Sequence, residues 1–123
     1  MNKRGDVLVY KYRDRGFIPV KILAISQLED KRLYHLMFYR GIFEDVDKID
    51  LNELKIFIPH VAITEKVFKE EDLKKIGEQK VYYDEELRYK NWLTEWNHKS
   101  GNYFDIPIID ILKKILNQSE DRE

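Results

Sequence analysis

The chain predicts a single α+β domain over residues 1–123. A strongly bent antiparallel sheet fills the N-terminal half, and two C-terminal helices pack on it. Three observations carry this prediction. Residues 6–39 hold three runs rich in β-branched and aromatic residues, separated by short polar turns at Asp14-Arg15-Gly16 and Gln27–Lys31. Residues 84–117 change to helical spacing, with Tyr89, Trp92, Leu93 and Trp96, then Ile108, Ile111, Leu112 and Ile115, at i, i+3, i+4, i+7. No repeat, low-complexity segment or linker divides the 123 residues.

Strand one is expected at 6–13, with Val7 and Val9 on one face and Leu8, Tyr10 and Tyr12 on the other. Both faces are partly apolar, which predicts cover on both sides or strong curvature. Strand two is expected at 17–27; Pro19 lacks an N–H and suits an edge or a bulge near its start. Strand three, 31–39, sets Leu33, His35 and Met37 against Tyr34, Leu36 and Phe38. Two strands on a tight turn followed by a third resemble the opening of an SH3-like partial barrel. The pattern then breaks: Gly41 permits a sharp turn, and residues 44–53 form an acidic loop or short helical turn. Strand four is expected at 55–63, with Pro59 marking a bulge or edge. Thr64 is a candidate N-cap for a helical turn through Phe68. The stretch 70–77 supports two readings, helix or strand, because Glu70-Glu71-Asp72 looks like a helix start and Gly77 like its end.

The first long helix is expected at 84–98, capped by Asp84 and followed by Gly101, and the second at 105–117, capped by Asp105 with Pro107 in its first turn. Residues 119–123 read as a frayed tail. The helices are expected on the barrel mouth or open edge, burying both tryptophans. That burial predicts a loss of ~3–5 kcal/mol for Trp96→Ala.

Composition narrows the function classes. Cysteine is absent, which excludes disulfides, thiolate metal sites and a cysteine nucleophile. The N-terminus lacks the apolar region of a secretory signal, and no apolar run approaches a membrane span, so a cytoplasmic location is expected. His35, His60 and His98 lack the short spacings of a zinc site and read as structural. Asp45, Asp47 and Asp50 resemble a calcium loop only in part, since the glycine and closing glutamate of an EF-hand are missing. There is no glycine-rich phosphate cradle and no nucleophile elbow. An enzyme and a cofactor are therefore not expected; a binding module is.

Charge is unevenly spread. Residues 1–40 carry nine Lys and Arg against four Asp and Glu, a balance of +5, and the remainder carries −6, for a net −1. One candidate surface is the basic aromatic set in residues 10–40, which includes Tyr10, Tyr12, Arg13, Arg15, Phe17, Tyr34, Tyr39 and Arg40 and suits single-stranded nucleic acid. The other is the acidic segment Glu44, Asp45, Asp47, Asp50 and Glu53, with Tyr39 and Phe43 as apolar anchors for a protein partner.

The phrase Lys3-Arg4-Gly5-Asp6-Val7-Leu8-Val9-Tyr10, followed by Gly16-Phe17-Ile18-Pro19-Val20-Lys21-Ile22-Leu23, resembles the opening of the immunity protein 26 family of bacterial polymorphic-toxin systems. Phe57-Ile58-Pro59-His60-Val61-Ala62-Ile63-Thr64 and Ile76-Gly77-Glu78 are similar to that family's later strands. The resemblance implies a cytoplasmic antitoxin that blocks a toxin by binding, with no catalytic residues. The helices at 84–98 and 105–117 find no counterpart in it.

Overall fold

The computed structural model describes residues 2–98 and 102–120. Five strands form one antiparallel sheet: β1 (Asp6–Lys11), β2 (Phe17–Leu28), β3 (Lys31–Tyr39), β4 (Ile56–Thr64) and β5 (Leu73–Glu78). Their order is β4-β3-β2-β1-β5, and the sheet is not closed. A short 3-10 turn (Val46–Lys48) lies in the loop after β3, and α1 (Glu65–Glu70) follows β4. The two long helices are α2 (Tyr83–Asn97) and α3 (Ile108–Glu120).

The ambiguous stretch is a strand. β5 pairs with β1 from Asp6↔Glu78 to Tyr10↔Leu73, so Gly77 sits within a strand and ends no helix. This pairing supplies β1 with its second neighbour and leaves Val7 and Leu8 completely buried on opposite faces. Pro19 stands one residue outside the β2–β3 ladder, which begins at Val20. Pro59 falls where the β3–β4 register slips between Leu36 and Phe38, at a bulge that tolerates a missing N–H.

The sheet is covered on both faces rather than at a mouth or an edge. Leu8, Tyr10, Val20, Ile22, Leu36 and Phe38 pack with Val67 and Phe68 of α1 and with Ile108, Ile111 and Leu112 of α3. On the opposite face, Val7, Leu23, Met37 and Tyr39 pack with Val81, and Leu33 and Ala62 pack with Trp92 of α2. Each fully buried aliphatic side chain contributes about 1.5–3 kcal/mol. Trp92 is buried and its Nε1 donates to the Asn102 carbonyl at 2.6 Å. Trp96 is only half-buried, stacked on Trp92, because it lies one turn nearer the helix end.

Thr64 caps α1 as expected, accepting from the Val67 amide at 3.3 Å. The other two caps differ from expectation. α2 is capped at Tyr82, whose amide donates to Glu85 Oε1 at 2.9 Å, and Asp84 lies inside the first turn. Asp105 accepts from the Thr64 hydroxyl instead of capping α3. The Ile108 amide at the start of α3 is satisfied by Glu71 Oε1 at 2.8 Å, a carboxylate 37 residues away. Pro107 precedes the helix, and its carbonyl accepts from Asp110 and Ile111. Helix α3 continues through Glu120 where a frayed tail was expected, and residues 121–123 and Gly101 lie outside the described residues.

Candidate functional site

The loop between β3 and β4 is held at its base and along its length. Arg40 N–H donates to the Lys55 carbonyl at 2.7 Å. Phe43 exchanges both backbone hydrogen bonds with Phe17, at 2.7 and 2.8 Å, which pins the loop to the start of β2. That approach requires Gly16: it has φ +131, and a Cβ there would collide with the Phe43 carbonyl oxygen. Asp45 Oδ1 accepts from the Asp47 amide at 2.9 Å and starts the 3-10 turn, and Asp50 Oδ1 accepts from the Asn52 amide at 3.0 Å. Leu51 and Leu54 pack against the core, and Gln79 Nε2 donates to the Leu51 carbonyl.

Glu44, Asp45, Asp47, Asp50 and Glu53 are all exposed on this loop. The two aromatic residues assigned with them separate. Phe43 is half-buried at the start of the loop. Tyr39 is 4 % exposed, its ring in the core and its hydroxyl donating to Gln79 Oε1 at 3.3 Å, so it offers no surface anchor. Burial, followed by the Glu85 carboxylate, pushes its phenol pKa upward. The residue the sequence reading missed is Ile42, 45 % exposed between Gly41 and Phe43. Its place beside a flexible glycine was the available signal.

The basic aromatic set is dispersed in the same way. Tyr10 and Tyr34 are buried, and Tyr34 stacks on Phe68 at 3.9 Å between centroids. Desolvation pushes the Tyr10 hydroxyl up to about 12. With Tyr39 also in the core, only Tyr12 and Phe17 of the five rings remain half-exposed beside the arginines. Pairwise stacking of successive bases needs exposed ring faces.

Two histidines distant in sequence meet beneath α2. Ser26 Oγ lies 2.7 Å from His35 Nε2, and His35 Nδ1 lies 2.9 Å from His60 Nε2. The edges of Tyr89 and Trp92 close over His35, which is fully buried. Desolvation, reinforced by His60, lowers the His35 pKa to about 3; desolvation and Arg88 lower His60 to about 4. Both rings are therefore neutral at pH 7, and each contact uses one proton. The connectivity is that of a hydroxyl, a base and an orienting group, with Ser26 itself buried at 6 % exposure. His98 is exposed at the end of α2.

A second buried polar cluster centres on Lys21, which is fully buried on β2. Its Nζ donates to the Lys80 carbonyl at 2.5 Å, to Glu85 Oε1 at 2.9 Å and to Gln79 Oε1 at 3.4 Å. These acceptors use the three protons of the ammonium and tie the start of α2 to the sheet.

Among the described residues, no three His, Asp or Glu side chains converge in a metal-binding arrangement, and no helix is long and apolar enough to cross a membrane. No family model matches the chain, and neither a curated protein nor a solved structure matches it.

Proposed function

We propose that the chain is a cytoplasmic protein-binding module, an immunity protein that neutralises a partner toxin by occluding its active surface. The observation that supports this most is the pre-organised loop: five exposed carboxylates lie on one segment whose backbone is held by Asp45 and Asp50 and by the Phe17–Phe43 bridge. A toxin that handles nucleic acid presents a cationic cleft, and fixed carboxylates can take the place of phosphates there. Fixing them in advance reduces the ordering cost of binding, and complementary charge accelerates encounter. The half-buried Phe43 and the exposed Ile42 lie next to the carboxylates and supply apolar contact. The Ser26–His35–His60 chain is read as core wiring, since no part of this function needs a nucleophile.

Asp47 and Glu53 are the residues to test, because their side chains are exposed and the two carboxylate-to-amide bonds that shape the loop come from Asp45 and Asp50. Asp47→Lys/Glu53→Lys is expected to slow association with the toxin encoded beside this gene by about tenfold or more, while leaving the melting temperature unchanged. An unchanged association rate, or a gene with no toxin reading frame beside it, would count against the proposal.

A further inference from the structure

An apolar groove of about 220 Å³ shares Ile42 with the acidic loop, and its lining includes Tyr12, Arg15, Ile18, Gly41, Phe57 and Leu116. Ile42, Phe57 and Leu116 are 45 %, 40 % and 41 % exposed, a cluster of large apolar residues left in water. One cation is part of the groove, and two more are close in sequence. Arg15 is in the wall, and exposed Arg13 and Arg40 adjoin the lining residues Tyr12 and Gly41, with Asp14 the anion of the same turn. None of these three arginines forms a salt bridge among the described residues. Ile42 also borders the recess formed by Phe43, Glu44, Asp45 and Lys48. One exposed isoleucine thus belongs both to an apolar groove with an arginine in its wall and to an acidic recess.

We propose that the protein self-associates as a twofold dimer about Ile42, with Glu44 and Asp45 of each copy set against Arg15 of the other. A twofold interface must be self-complementary, so each feature on one side of the axis needs its complement on the other. Here a twofold axis near Ile42 would bring unlike charges together twice and bury Ile42, Phe57 and Leu116 of both copies. The ridge is already ordered, because Phe43 is bonded to Phe17 on one side of Ile42 and Arg40 to Lys55 on the other. A net charge of −1 leaves little long-range repulsion between copies. A nucleic-acid strand fits this groove less well, since Glu44 and Asp45 in the adjoining recess repel phosphate. The far end of the loop, with Asp47, Asp50 and Glu53, takes no part in this contact, whereas Ile42, Glu44 and Asp45 also belong to the toxin-facing surface proposed above, so a second copy and a toxin compete for them.

Sedimentation velocity over a roughly hundredfold range of protein concentration tests the dimer. The mass is expected to rise from 15.0 kDa toward twice that value. Phe57→Asp, at an exposed position, is expected to weaken association by about tenfold or more with an unchanged circular dichroism spectrum. Arg15→Glu is expected to weaken it as well, and Arg15→Glu/Glu44→Arg to restore it, since both charges are exchanged in each copy. A mass of 15.0 kDa at every concentration overturns the proposal. So does a dimer indifferent to Phe57→Asp, or a charge exchange that restores nothing. Self-association is measured on the protein alone and toxin binding through Asp47 and Glu53, so the failure of either is told apart from the failure of the other.

Discussion

Lys21→Met removes the ammonium at the centre of the buried cluster and leaves Glu85 of α2 buried without it. Glu85 then keeps the Tyr82 amide at 2.9 Å, while its charge loses its ion pair with Lys21. The Lys80 carbonyl also loses its donor. Stranding one member of a buried pair costs about 3–5 kcal/mol, chiefly as desolvation of the survivor. Methionine fills nearly the same space, so little of this loss is a cavity. With a urea slope of about 2 kcal/mol/M for a domain of this size, the midpoint falls by roughly 2 M at an unchanged slope. Lys21→Met/Glu85→Leu removes both charges and leaves only two backbone groups to be satisfied by water. The double variant is therefore expected to be more stable than the sum of the singles by about 2–3 kcal/mol. Urea unfolding of the four proteins, followed by tryptophan fluorescence, measures this coupling. A Lys21→Met midpoint within the error of wild type, or strictly additive singles, would refute a buried and mutually dependent pair.

Three further outcomes follow from the same core. The folded histidine pair binds fewer protons than the unfolded chain between about pH 6.5 and their folded values of about 3 and about 4. Its contribution is therefore complete above pH 6.5 and is lost as pH falls, by at most about 1.4 kcal/mol per group per pH unit. Stability measured against pH should show a slope in this window that flattens in His60→Asn, and an equal slope in that variant would be a failure. Gly16→Ala is expected to cost about 2–4 kcal/mol, from a positive φ and a collision with the Phe43 carbonyl. Amide exchange at Phe17 and Phe43 should accelerate most, and uniform acceleration would exclude this cause. Trp92→Ala is expected to cost about 3–5 kcal/mol and Trp96→Ala about 1–2, compared by thermal unfolding; the reverse order would show that the helix is rotated.

Residues 6–13, 17–27, 31–39 and 55–63 were legible as strands because alternation and β-branched content are local properties, and the strand bounds agree to within two residues. Helices α2 and α3 were legible from the spacing of Trp92, Leu93, Ile111 and Leu112 alone. The acidic loop was equally plain, since carboxylates in a turn-rich segment have few places to go but the surface. What local pattern could not supply was partnership. β5 carries no periodic signal, with burial that follows neither helix nor strand alternation, and it became a strand because β1 had an edge to pair. Glu71 caps α3 across 37 residues, and Glu85 turns inward to Lys21 across 64; neither distance leaves a trace in a window of sequence. Tyr39 looked like a surface anchor because an aromatic residue beside an acidic loop fits either place. Packing settled it: α2 and Val81 cover that face of β3, while Ile42, past the last strand residue, is left in water. Secondary structure follows from spacing along the chain. Which side chains face water, and which charges meet, depends on what folds over them.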